Sequence, residues 1–204
     1  MKTDNILEQL MFNLRDKPFG ESWEVWTTRW WLWFLSIPKQ VNPAFDKTGE
    51  KCNIGQTDPN VWFLATTTTG RAERTMTIPS NKALLFPIIN ITTSFSENPS
   101  LKTEGELVSY TEKHMDDITK KEINIDGTEI AIAESHRVRS PPFAFSFPDN
   151  NIYGAPSGPT RGVGDGYWIF LRPLSMGNHN IRTFGSCMSG KVQIGVSLHL
   201  IVKD

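Results

Sequence analysis

The chain has 204 residues, with 21 Lys+Arg against 22 Asp+Glu and a net charge of −1 at pH 7. A chain this long hides roughly 70% of its unfolded surface and needs no disulfide or metal staple, so one domain, or one domain with a helical appendage, is expected. Its basic residues are scattered singly, which excludes a nucleic-acid footprint, and no apolar window reaches the roughly 18 residues of a membrane span.

Residues 4–15 are predicted to form a short helix, with Ile6, Leu7, Leu10, Met11 and Leu14 at helical spacing behind a possible Asp4 cap. Lys17-Pro18-Phe19-Gly20 ends it. The same segment carries Asp4, Glu8 and Asp16 and lacks the apolar stretch of an export signal, so the expected location of the chain as it stands is cytoplasmic.

A second helix is predicted over residues 23–36, capped by Ser22 and stopped by Pro38. It holds Trp23, Trp26, Trp30, Trp31 and Trp33, most of the 7 tryptophans in the chain. At 100° per residue, Trp23, Trp26, Trp30, Trp33, Phe34 and Ile37 share one face, which is expected to pack on a sheet. Each buried indole removes about 150–250 Å² from water, worth about 4–6 kcal/mol as an upper estimate. Trp31 lies off this stripe and is the expected exposed aromatic. The polar face offers only Arg29, too little charge for a membrane-surface helix.

From about residue 60 the pattern changes to strands and turns. Val61–Thr67 is an apolar strand, and Arg74–Ile78 alternates before a turn at Pro79-Ser80-Asn81. Leu84–Ile91 suits a strand buried on both faces, with Pro87 marking a bulge or an edge. Residues 92–105 read as a loop, and 106–121 as an inserted helix with Leu107, Thr111, His114 and Ile118 on one face. Asp126-Gly127 predicts a type I′ hairpin turn. Phe143, Phe145 and Phe147 alternate, Arg161–Gly166 reads as a glycine-rich turn, and strands follow at 167–172 and 179–184. In the last strand Val192, Ile194, Val196, Leu198, Leu200 and Val202 point one way. The expected fold is mainly β, an antiparallel β-sandwich or jelly roll. An N-terminal helical segment over residues 1–40 would pack on a sandwich of residues 41–204.

Several blocks resemble a family of uncharacterised, mostly exported bacterial and archaeal proteins. They are Trp30-Trp31-x-Trp33-x-x-Ser36-Ile37-Pro38, Val61-Trp62-Phe63-Leu64-Ala65, Lys82 through Asn90 (KALLFPIIN), Pro148-Asp149-Asn150-Asn151, Asp165-Gly166-Tyr167-Trp168 and Pro173-Leu174-Ser175-x-Gly177-x-His179-x-Ile181. The resemblance spans roughly residues 26–202. It implies a fold and boundaries and no activity. The family pattern often has a cysteine where Met76 stands, placed to pair with the one matching Cys52. Its loss here, with the missing leader, fits a reducing compartment.

The candidate site residues are few. Two cysteines, Cys52 and Cys187, are too few for a disulfide scaffold or zinc motif, although one bridge between them stays open. Asn90-Ile91-Thr92 is a glycosylation sequon that matters only in a eukaryotic secretory setting. Arg137 and Arg139 share a strand face and would clamp an anion. Asp149, Asn150 and Asp165 would offer oxygen ligands to Ca²⁺ if their loops converge, although no EF-hand spacing exists. His179 begins a strand, and a cluster of His136 and His179 with Glu134 or Asp165 is a further arrangement to look for. No HExxH, GxSxG or paired catalytic carboxylate is present, so no resident metal or cofactor is predicted.

The leading expectation is a non-enzymatic β-sandwich module that binds an unknown ligand or protein partner, with ligand-binding candidates Trp31, Arg137, Arg139, Asp149, Asn150, Asp165 and His179. The alternatives are a hydrolase or lyase with a loop site near Asp149 and Asp165, and a self-assembling coat or filament subunit.

Overall fold

Two β-sheets and one tryptophan-rich helix form three stacked layers in the computed structural model, which describes residues 9–204. Helix α1 spans Trp23–Ser36, with Ser22 as its extended N-cap. The strands are β1 Val61–Phe63, β2 Gly70–Pro79, β3 Ala83–Ser94, β4 Ile118–Ile125, β5 Thr128–Glu129, β6 Arg137–Arg139, β7 Phe143–Phe147, β8 Gly158–Leu171, β9 Gly177–Cys187 and β10 Val192–Lys203, with helix α2 at Glu104–Asp116 between β3 and β4.

The first sheet runs β1-β3-β8-β6, with β7 also paired to β8; the second runs β2-β10-β9-β4-β5. The pairings are antiparallel except at two edges, where β1 joins β3 and β2 joins β10 in parallel. The mainly β sandwich expected from sequence is the observed architecture. Between the sheets lies a core that includes Ile78, Ile88, Ile169, Ile181, Leu198 and Leu200. A second core lies between the first sheet and α1, built from Trp23, Trp26, Trp30, Phe143, Trp168 and Phe170.

This layering accounts for the sequence texture. The first sheet is covered on both faces, so β3 and β8 read as near-continuous apolar runs, whereas the second sheet has one solvated face and β10 alternates cleanly. Pro87 does mark a bulge, since the β3–β8 register shifts between Pro87 and Ile89. Asp126 and Gly127, with φ of 48° and 84°, make the expected I′ turn.

Several boundaries differ from expectation. The part of the first expected helix that falls on Asp4, Ile6 and Leu7 lies outside the described residues. Gln9 and Leu10 are helical as expected, but at Met11 the chain turns extended and then bends at Asn13–Asp16: Met11 bridges Leu171, and Phe12 donates to the Phe170 carbonyl at 2.9 Å. A helix this short is marginal alone, and edge-to-face contact of Phe12 with Phe170 at 5.0 Å decides the conformation. β1 stops at Phe63, and β3 continues to Ser94 through what read as a loop. α2 ends at Asp116, so residues 118–121 belong to β4. Its start is set by a full capping box of Thr103 and Glu106.

The glycine run 161–166 is the interior of β8 and not a turn. The reason is α1. A Cβ on Gly164 would stand 2.0 Å from Trp31 Nε1, so only glycine lets the indole reach the sheet.

Candidate functional site

Five consecutive β3 residues, Ile89, Asn90, Ile91, Thr92 and Thr93, border one cleft of about 410 Å³. Successive strand side chains point to opposite faces, so such a run borders one cavity only where the cavity follows the strand's edge. That edge is open. β1 pairs β3 at Ala83–Leu85 and Leu64 adds one bond to the Leu85 carbonyl; the chain then leaves for the second sheet, and among the described residues β8 alone flanks the rest of β3.

The main-chain groups facing the opening follow from the ladder. Phe95 donates to the Arg161 carbonyl, which makes that a hydrogen-bonded pair. Antiparallel pairs alternate, so Thr93–Val163 and Ile91–Asp165 bond across the ladder, while Thr92 and Asn90 point their N–H and C=O away from β8. Gly164, opposite Thr92, agrees: its carbonyl accepts from Ser140 N and its N–H donates to Ser140 Oγ on the far side.

The cleft walls come from every layer. α1 supplies Trp31 and Phe34, and the crossing after β1 supplies Thr66, Thr67 and Thr68. α2 contributes Tyr110, His114 and Met115, and the second sheet contributes Ile118, Val192 and Ile194. The lining is mostly apolar with a few polar groups, the usual character of a ligand site.

Among those polar groups, three have no hydrogen-bond partner among the described residues: Trp31 Nε1, Asn90 Nδ2 and Thr93 Oγ1. Trp31 and Thr93 are each only 1% exposed. The other four indoles of α1 all have partners: Trp23 donates to Asn13 O, Trp26 to Pro18 O, Trp30 to Leu64 O and Trp33 to Ile54 O, at 2.8–3.1 Å. Leaving a buried donor unpaired costs about 1–3 kcal/mol.

Glu97 lines the cleft at the end of β3 and accepts from Ser94 Oγ at 2.5 Å. Burial pushes its carboxyl up to about 7, against the weaker opposing effect of its Ser94 bonds. The unfolded acid ionises near 4.5. Stability is therefore fully present below about pH 4.5, falls as pH rises toward about 7, and is level above it. Glu97→Gln is expected to remove this slope and to stabilise the protein at about pH 8 by up to about 3 kcal/mol. Urea unfolding of both proteins at acid and mildly alkaline pH checks this; a difference that does not change with pH counts against the assignment.

The residues singled out from sequence fare unevenly. Trp31 belongs to the cleft but is buried, not exposed: Thr27, Trp31 and Leu35, spaced by one turn, form a second buried stripe on α1. Arg137 and Arg139 are not a free anion clamp. Arg137 holds Asp165 at 2.7 Å and Asp116 at 2.6 Å, and Arg139 pairs with Glu112, so two β6 cations fasten α2 and β8. The Asp165 and Asp116 carboxylates hold the Arg137 guanidinium above its ordinary value against the effect of burial.

The oxygen ligands proposed for Ca²⁺ do not converge. Asp165 is buried against Arg137, while Asp149 and Asn150 lie in the turn after β7. β7 ends opposite Gly158, and Asp165 is farther along β8 by about 20 Å of strand. Among the described residues no three His, Cys, Asp or Glu side chains are grouped to hold a metal.

His179 sits on the second sheet, bonded to Asp126 at 2.6 Å and to the Ser175 carbonyl at 2.9 Å, which is the strand-start role expected of it. His136 precedes β6 on the other sheet, and Glu134 is held by Lys121 and Tyr167, so no histidine cluster forms. Cys52 and Cys187 are both free thiols. Cys187 borders the cleft, but burial and Asp117 push its thiol up, the opposite of nucleophile activation. Cys52 and Met76 both line one small cavity.

Sequence reasoning missed Asn90, Thr93 and Glu97 as site residues. Asn90 was visible as a sequon, yet its Nδ2 is buried. The only local signal was polar residues following an apolar strand, which reads as the onset of a loop.

No helix among the described residues is long and apolar enough to cross a membrane. No family model and no curated protein matches the chain. A solved structure described as "Structure of PbICP-C in complex with falcipain-2" is similar over 69% of this chain and 98% of that chain, at 10% identity and a TM-score of 0.29. At that TM-score the likeness carries no argument about function.

Proposed function

We propose that this protein is a non-enzymatic binding module whose ligand seats in the cleft along the open edge of β3. The observation that carries this reading is the cleft of about 410 Å³ itself, walled by Trp31, Phe34 and Ile194 and following the edge of β3 that has no strand partner among the described residues. A largely apolar ligand complements this lining. A loop-based hydrolase or lyase near Asp149 and Asp165 draws no support from the geometry, since Asp165 is spent on Arg137.

Nile red, an uncharged apolar dye with acceptor atoms, is a direct probe. Saturable binding is expected, with the Trp31 indole N–H resonance moving most in proton–nitrogen NMR. Thr68 is exposed at the cleft mouth, so Thr68→Trp is expected to leave stability within about 0.5 kcal/mol and to weaken binding about tenfold. Dye binding unaffected by Thr68→Trp, or shifts centred on another indole, would remove the cleft from consideration.

A further inference from the structure

Resting on that reading of the cleft, we propose that its occupant is an extended peptide segment that adds to β3 as a new edge strand, apolar on both faces and carrying one cationic side chain beside Glu97. The first argument is main-chain chemistry. Asn90 and Thr92 turn N–H and C=O groups to the opening, spaced by one strand repeat, and only another extended backbone matches donors and acceptors in that order. The lane such a strand would occupy continues that of β1, which the chain abandons after Leu64 to cross to the second sheet. From Ile89 to Thr93 the available edge is about 13 Å long, room for about four added residues.

Side chains complete the fit. A strand in this lane sends alternate residues to opposite faces. One set meets Trp31, Phe34 and Tyr153; the other meets Ile118, Val192 and Ile194. The charged or titratable lining comprises Glu97, Asp117 and His114 with Tyr110, Tyr153 and Cys187, and no lysine or arginine is among the lining residues. The lining therefore offers a cationic side chain on the peptide a carboxyl group at Glu97 and another at Asp117, with His114 as the base among the described lining residues.

Exposed edges are usually blunted by charge, proline or a bulge to prevent pairing. Here Pro87 and the bulge protect only the start of the open stretch, and Ile89–Thr93 carries no such guard. That pattern fits an edge kept for a chosen strand.

The test selects short random peptides by display against the intact protein and measures the enriched ones by fluorescence anisotropy. Enriched sequences are expected to be apolar with a Lys or Arg. Methylating main-chain nitrogens at one alternate set of positions should weaken binding about tenfold or more, while the other set changes it less than about threefold. Equal loss at both sets overturns strand addition. If no peptide binds while Nile red still moves the Trp31 resonance, the peptide occupant is wrong and the binding site stands. If neither binds, both readings fail. A concentration-dependent dimer that protects the Asn90 and Thr92 amides from hydrogen exchange replaces the peptide with a second copy of this chain, and also overturns the proposal.

Discussion

Gly164→Ala is expected to destabilise the protein by about 3 kcal/mol or more, an unusually large effect for one added methyl group. The new Cβ would stand 2.0 Å from Trp31 Nε1, 2.4 Å from its Cδ1 and 2.7 Å from its Cε2. None of these atoms belongs to a flexible end. The indole is 1% exposed and packs edge-on against Trp30 at 4.9 Å, Phe34 at 5.9 Å and Trp168 at 6.2 Å. Relief therefore requires α1 to lift from β8, which would break the indole bonds of its neighbours as well. Urea unfolding measures the effect. The cause is isolated by repeating the substitution in Trp31→Leu, which removes the clashing ring: there the same alanine should cost less than about 1 kcal/mol. Equal costs in both backgrounds would mean that glycine is needed for some reason other than Trp31.

Arg74→Met is expected to cost about 3–5 kcal/mol, although methionine replaces the apolar stem well. Arg74 is 2% exposed and donates to three main-chain carbonyls: Asp46 at 2.7 Å, Ala65 at 2.5 Å and Ala44 at 3.3 Å. It ties the segment after α1 and the crossing after β1 to β2. Burial pushes the guanidinium below its ordinary value while the charge of Asp46 opposes that, so the site holds the cation through bonds more than through a counter-ion. Removing the donors leaves buried acceptors unpaired, at about 1–3 kcal/mol each before relaxation. Arg74→Lys should recover only part, because an ammonium lacks the fork that spans carbonyls from separate segments. Thermal or urea unfolding of the two variants checks this; near-wild-type stability of Arg74→Met would show that the carbonyls find other partners.

The strands and α1 were legible because their signals are local. Alternation in β10, the Ser22–Pro38 bounds of α1 and the Asp126-Gly127 turn each depend on a few neighbouring residues. The glycine run was misread for the opposite reason. Gly162, Gly164 and Gly166 are strand residues because α1 and β3 press on them, and nothing near them in sequence says so. Arg74 gave a quieter signal: it occupies the inward phase of an alternating strand, a local rule broken where long-range bonds compensate.

The candidate site was scarcely legible. Trp31 was chosen for lying off the helical stripe, correctly as a residue unlike its neighbours and wrongly as an exposed one. Its distinction is an unpaired N–H, visible only once the partners of Trp23, Trp26, Trp30 and Trp33 are placed. The charged candidates failed because charge in a sequence carries no partner: Arg137 and Asp165 lie 28 residues apart and neutralise each other.

What the sequence determined by itself was the strands with a clean period, such as β10, and which of their faces are apolar, since period and turn chemistry are properties of a few adjacent residues. What only the tertiary structure decided was which strand edge is left unpaired. The open edge of β3 exists because β1 stops at Phe63 and crosses between sheets, and pairing between distant segments is set by how the layers stack, not by any local run of residues.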